Sequence, residues 1–134
     1  MFNAKEQIDK IIKFIKKYYQ DNNLGGVVIG ISGGKDSAVV AGLFTKALGP
    51  ENVIGVTLPC HSNDEDKEDA KLISDYYGFR LINLDLTETF DSFKKQINNI
   101  DNFTIQELKN SDINIKPRMR MMSLYKIYIY HTEF

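Results

Sequence analysis

The feature that most limits the fold of this chain is a short, unbroken apolar run opening straight into a glycine-rich turn. Val27-Val28-Ile29 leads directly into Gly30-Ile31-Ser32-Gly33-Gly34-Lys35-Asp36-Ser37. Apolar, β-branched residues at every position, not every second one, describe a strand covered on both faces, as in parallel sheets flanked by helices. In such sheets ligands gather at the carboxyl ends of the strands, where this turn must lie. Gly33 and Gly34 permit positive φ and close backbone approach. The helix that follows presents its first amides to the turn, an arrangement suited to phosphate oxygens. Ser32 and Ser37 add hydroxyls and Lys35 adds a positive charge. Asp36 suits a polyphosphate site once a Mg²⁺ ion is shared between carboxylate and phosphates.

The flanking sequence supports the same architecture. Residues 5–20 place Ile8, Ile11, Ile12, Ile15 and Tyr19 on one face of an amphipathic helix. Residues 36–48 read as a second helix stopped by Gly49-Pro50, and residues 53–58 as a second buried strand ended by Pro59. Ser62-Asn63-Asp64-Glu65 has the form of a capping box, with acids crowding a helix start and Gly78 placed to end that helix. Residues 79–84 read as a third strand and 87–99 as a further helix, before an Asn/Asp-rich break at 98–102. Alternating helices and strands predict an α/β fold with a parallel, Rossmann-like sheet of about three strands.

Composition narrows the function. Seventeen basic and eighteen acidic residues leave a net charge of −1, so no broad basic face is available for nucleic acid or an anionic membrane surface. Charges at Lys5, Glu6, Asp9, Lys10 and Lys13 interrupt every apolar run near the start, against a signal peptide. No stretch reaches the roughly eighteen apolar residues of a membrane span. A single cysteine, Cys60, excludes an internal disulfide and suits a reducing compartment. The expectation is a cytoplasmic, one-domain protein.

Two familiar phosphate loops do not fit. A Walker A frame needs Ser or Thr after its lysine, but Asp36 follows Lys35 and Ile29 stands where the first glycine belongs. A GxGxxG fingerprint fails because Ser32 occupies its second glycine position. The SGGxDS pattern on a buried strand instead resembles the pyrophosphate loop of the ATP-pyrophosphatase superfamily, whose fold is adenine nucleotide alpha hydrolase-like. Such enzymes transfer AMP to a substrate oxygen, release pyrophosphate, and let a nitrogen or sulfur nucleophile displace the AMP. The resemblance makes residues 30–37 the ATP loop, Asp36 the Mg²⁺ ligand, and Lys35 and Ser32 sources of electrostatic assistance. Thr57 and Leu58, in Val56-Thr57-Leu58-Pro59, would meet adenine through main-chain groups.

Within the superfamily the chain is most similar to ammonia-dependent NAD synthetases. Asn114-Ile115-Lys116-Pro117-Arg118-Met119-Arg120-Met121, with Leu124-Tyr125, resembles that family's N-[IV]-x-x-R-x-R-M segment. The resemblance implies that Arg118 contacts deamido-NAD, with Asn114 and Arg120 as further contacts, since a planar guanidinium suits phosphates and carboxylates. It also implies ATP, ammonia and deamido-NAD as substrates and a homodimer in full-length members. It covers residues 1–125 as the amino-terminal half of such a domain and leaves 126–134 as an unmatched tail. The family's GT-x-N-x-x-E strand and mobile Lys/Asp loop have no counterpart here, so the expected activity is low. The alternatives are a non-catalytic ATP-binding fragment and a related ligase such as a tRNA-modifying enzyme, the latter opposed by the near-neutral charge.

Other residues have plainer explanations. Cys60-His61 resembles a thiolate–imidazole pair, yet neighbours on an extended turn point apart, and Cys60 is expected to be a structural thiol. The acidic run 64–69 is explained by helix capping and the dipole. Tyr18-Tyr19 and Tyr76-Tyr77 are expected to contact the core.

Overall fold

A computed structural model describes residues 1–100 and 105–132 of the chain. Helix α1 spans Ala4–Asp21, strand β1 Val27–Gly30, helix α2 Lys35–Leu48, strand β2 Val53–Thr57, helix α3 Asp64–Tyr77, strand β3 Arg80–Asn83, helix α4 Thr87–Asn98 and helix α5 Ile105–Thr132. The strands form one parallel sheet in the order β1-β2-β3, with Val27 opposite Val53 and Ile54 opposite Arg80. This is the α/β, Rossmann-like arrangement expected from the alternation of elements.

The unbroken apolar runs exist because both faces of the sheet are covered. Val27, Ile29, Ile31, Val53, Phe79 and Leu81 pack with Ala41 and Phe44 of α2 and with Ala70, Ile73 and Tyr77 of α3. On the opposite face, Val28, Ile54, Val56, Leu58 and Ile82 meet Phe90 of α4 and Ile115, Met119, Leu124 and Ile127 of α5. The period-two alternation of side chains assigns each strand residue to one layer or the other. Val53 and Val56 are completely buried, each worth about 1.5–3 kcal/mol relative to exposure. Gly55 is required by the first layer, because a Cβ there would lie 2.5 Å from the Phe79 ring. Helix α1 packs on α2 outside this core. Only Ile15 of its apolar face is fully buried, with Ile12 and Tyr19 half-buried and Ile8 and Ile11 partly exposed.

Two local expectations need correcting, and the course of the chain after residue 105 is settled. The capping box is not formed. Asn63 precedes α3 without a side-chain cap, and Ser62 turns back so that its hydroxyl accepts the Cys60 N–H at 3.1 Å. The Arg/Met-rich segment and the apolar stretch after it are one helix, α5, running through Pro117. Proline removes an intrahelical hydrogen bond, but Ile115, Met119, Leu124 and Ile127 on both sides of it are anchored on the sheet. Of the tyrosine pairs, Tyr77 and Tyr19 are half-buried, whereas Tyr76 and Tyr18 are exposed. Part of the Asn/Asp-rich break, residues 101–104, lies outside the described residues.

Candidate functional site

Residues 30–37 cross from the carboxyl end of β1 into the first turn of α2, and a network of short-range hydrogen bonds shapes them. The Ile31 N–H extends the ladder by donating to the Val56 carbonyl at 2.8 Å. The Ser32 N–H donates to Ser37 Oγ, the Gly34 N–H donates to Ser32 Oγ, and the two hydroxyl oxygens are 3.2 Å apart. Ser37 Oγ donates in turn to the Gly34 carbonyl at 3.1 Å. The serines therefore brace the loop itself. Ala38 makes the first backward bond of α2, to Gly34, so the amides of Lys35, Asp36 and Ser37 have no acceptor within the helix. Among the described residues no side chain caps the helix start. Lys35 and Asp36 stand exposed beside these amides.

Gly33 carries φ of +85°, and a Cβ on it would lie 2.8 Å from the Asp66 carbonyl oxygen. The close approach anticipated for a ligand is here an approach to the first turns of α3.

A cleft of about 420 Å³ opens next to the loop. Its floor is Gly30, Ile31 and Ser32 from the loop together with Thr57, Leu58 and Pro59 at the end of β2. Asn83 closes one side, Asp66 and Lys67 of α3 another, and Arg120, Met121 and Leu124 of α5 form the wall above β1. The structure thus brings Gly30, Ile31, Ser32, Thr57, Leu58 and Arg120 to one cleft, with Gly33, Gly34, Lys35, Asp36 and Ser37 continuing along the same loop.

The main-chain carbonyls at the end of β2 are already engaged. Thr57 O accepts from the Leu84 N–H at 2.9 Å, Pro59 O from the Leu86 N–H at 2.7 Å, and Leu58 O from Arg120 Nε at 3.0 Å. Arg120 is consequently a tie between α5 and the sheet as well as a cleft residue. Arg118 and Asn114 are placed differently. Both are exposed away from the cleft, with Arg118 Nη1 donating to the Asn114 carbonyl at 2.8 Å and Asn114 Nδ2 donating to the Asn110 carbonyl.

Sequence reasoning missed Asn83. Its Oδ1 accepts a hydrogen bond from the Thr57 hydroxyl at 2.5 Å. The available signal was that two polar residues end two adjacent parallel strands, Thr57 directly opposite Asn83. It also missed the partner of His61. That residue sits at φ +54° with its N–H donating to Thr87 Oγ1, and its Nε2 is 2.7 Å from Asp91 Oδ1. Cys60 is buried, and loss of solvation raises its thiol pKa despite Lys116 and Arg120 nearby. The imidazole is directed to a surface carboxylate while the thiol is held in the core. Hydrogen bonds from Thr87, first its hydroxyl and then its amide, hold the Asp85 carboxyl below its ordinary range beside this turn.

Among the described residues no three His, Cys, Asp or Glu side chains cluster as a metal site. No helix there is long and apolar enough to cross a membrane.

Comparison with known proteins identifies the family. The family model described as NAD synthase matches residues 7–133, a span that includes 126–133. The chain is 44% identical to the NH(3)-dependent NAD(+) synthetase of Mesoplasma florum and 37% identical to that of Carboxydothermus hydrogenoformans. Each match covers 92% of this chain and 49% of the relative. The chain spans about half the length of the curated relatives it matches. Among solved structures it is similar to the NH3-dependent NAD synthetase of Campylobacter jejuni, with a TM-score of 0.79 and 31% identity over 95% of this chain and 52% of that one. It is also similar to the NMN synthetase of Francisella tularensis, with a TM-score of 0.82 and 26% identity over 95% and 50% of the two chains. Because the family match takes in both the loop on β1 and the arginine-bearing helix α5, the two parts between which the cleft opens, this chain belongs to the NAD synthase family.

Proposed function

We propose that this chain provides the ATP-binding part of an ammonia-dependent synthesis of NAD from deamido-NAD. The observation that carries the proposal is the loop 30–37. Its leading α2 amides lack intrahelical acceptors and open beside a cleft formed by the ends of β1 and β2. A pyrophosphate group on those amides places its negative charge at the positive end of the helix dipole. Lys35 adds charge stabilisation as pyrophosphate departs, and Ser32 holds the loop in shape for it. Adenine would occupy the apolar part of the cleft against Thr57 and Leu58.

Asp36 supplies one exposed carboxylate at the same helix start, a hard oxygen donor suited to Mg²⁺ held chiefly by phosphates and water. When bound, Mg²⁺ neutralises charge on the phosphate oxygens. In the reaction, the deamido-NAD carboxylate attacks the α-phosphorus of ATP and pyrophosphate leaves. Ammonia then attacks the acyl carbon, AMP leaves, and the amide loses a proton. Arg118, with Asn114 and Arg120, would bind deamido-NAD, the surface of α5 serving as the dinucleotide side of the site. A homodimer and a cytoplasmic location belong to the same reading.

The half-length match favours a second reading, in which the chain binds ATP without turnover. Equilibrium binding of ATP, measured with Mg²⁺ and with chelator, together with an assay for NAD formation, separates the two. Asp36→Asn is expected to weaken binding in Mg²⁺ more than in chelator. An equal effect in both media would reduce Asp36 to a helix-start residue. Binding without NAD formation selects the second reading, and the absence of binding removes both.

A further inference from the structure

We infer that Asn83 reads the base of the bound nucleotide, with Thr57 as the residue that sets its orientation. The inference rests on the cleft being a nucleotide site. It concerns the part of the cleft away from the phosphate loop, where the base would lie against Thr57 and Leu58, and adds a side-chain reader to the main-chain groups there.

A purine buried in a largely apolar cleft leaves ring nitrogens that must be hydrogen-bonded or lose the solvation they had in water. The main chain at the end of β2 has committed its carbonyls elsewhere, to Leu84, Arg120 and Leu86. Asn83 is the carboxamide that ends β3 and lines the cleft beside them. A carboxamide is an ambiguous reader, because its acceptor and donor ends are nearly the same shape. Here the ambiguity is removed from behind. The buried Thr57 hydroxyl donates to Asn83 Oδ1 at 2.5 Å, which leaves Nδ2 as the free end. Nδ2 has no protein partner among the described residues. The parallel register makes this pairing structural, since Thr57 and Asn83 are directly opposed in the sheet.

The group offered to the ligand is therefore an N–H donor at fixed height above the carboxyl ends of β2 and β3. It suits an unprotonated ring nitrogen, such as N1 of adenine. At the corresponding position guanine carries an N–H, which would face this donor without an acceptor. Asn83 thus favours an adenine nucleotide over a guanine one, and Thr57 acts as its positioning residue.

The test uses the 134-residue chain and three probes: ATP, GTP and inorganic tripolyphosphate, each with Mg²⁺. Asn83→Asp keeps the shape and the acceptor for Thr57 but removes the donor, and Asn83→Ala removes the whole reader. Both are expected to weaken ATP by about tenfold, the scale of one hydrogen bond to a ligand. Tripolyphosphate binding should be unchanged and the preference for ATP over GTP should shrink. Thr57→Val should give a smaller loss of the same kind, restored by Thr57→Ser. Circular dichroism melting confirms that each variant is folded. Unchanged ATP binding in both Asn83 variants overturns the inference. So does a parallel loss of ATP and tripolyphosphate, which would reveal a structural or charge effect. If the unaltered chain binds tripolyphosphate but not ATP, the phosphate loop stands and the base reader falls. If it binds neither, the nucleotide site falls and this inference with it.

Discussion

Gly33 and Asp66 touch backbone to backbone: a Cβ built on the glycine would stand 2.8 Å from the Asp66 carbonyl oxygen and 3.0 Å from its Cα. The loop 30–37 is thus pressed against the start of α3, and φ of +85° at Gly33 is the conformation that allows it. Asp66 is an exposed acid by side chain, and its contribution to the loop comes through its main chain.

A side chain at Gly33 should therefore fail twice. Positive φ costs a β-branched residue roughly 1–2 kcal/mol or more, and the clash is with backbone that cannot rotate away. Gly33→Val is expected to lose several kcal/mol of stability, to be read from urea unfolding, and to lose ATP binding as a consequence. Gly33→Ala should show the same loss in milder form. A Gly33→Val protein with unaltered unfolding would mean that α3 yields easily, and the loop would not depend on that contact.

Thr45 makes an opposite prediction. Its side chain is buried in α2, and Oγ1 has no hydrogen-bond partner among the described residues. A buried hydroxyl without a partner costs on the order of 1–3 kcal/mol. Thr45→Val keeps the branched shape and removes the hydroxyl, so it should raise stability by about 1 kcal/mol. A measured decrease would show that the hydroxyl is satisfied in solution.

Cys60 allows a pH argument. Burial raises its thiol pKa above the ordinary value, with Lys116 and Arg120 opposing the shift. The folded thiol therefore keeps its proton to higher pH than the unfolded one. Above the unfolded thiol pKa the unfolded state binds fewer protons, so this contribution to stability is present below that pKa and lost as pH rises past it. Iodoacetamide, which needs an accessible thiolate, should label the folded chain at pH 7.5 about a hundredfold more slowly than the chain in urea. Equal rates would place the thiol at the surface. Cys60→Ser should leave tripolyphosphate binding intact, because Cys60 belongs neither to the loop 30–37 nor to the lining of the cleft.

Much of this was legible in the sequence, for reasons that particular residues make plain. Val27, Val28 and Ile29 announce a strand covered twice, and the alternation of Ile29 and Val28 between two layers is what their unbroken run encodes. The position of the SGGxDS loop between a strand and a helix was readable because its turn signals are local. What escaped was long-range or competitive. The Thr57–Asn83 bond spans 26 positions and the Arg120–Leu58 bond 62, and only the packed sheet brings those groups together. The capping box failed through competition, since Ser62 hydrogen-bonds the Cys60 backbone instead of the helix amides. Helix α5 continues through Pro117, whose unfavourable local effect is outweighed by apolar contacts with the sheet on either side.

The remaining prediction concerns association. Strand β1 lies at the end of the order β1-β2-β3, and among the described residues it pairs only with β2. Its other edge presents backbone donors and acceptors from a strand with no proline or charged residue, the kind of edge that pairs with a second chain. Exposed apolar side chains offer a different route, including Met122 at 66% and Tyr125 at 67% exposure on α5. The 134-residue chain is expected to scatter light as species heavier than its 15.4 kDa protomer, with the mass rising with concentration. The two routes separate by variant. Met122→Lys with Tyr125→Lys should abolish association through the α5 face but leave pairing at β1 unaffected, and persistence of the heavier species in that variant is the expected result. A chain that remains at the protomer mass throughout would mean that the β1 edge is protected. Association lost in the double variant would assign it to α5 instead.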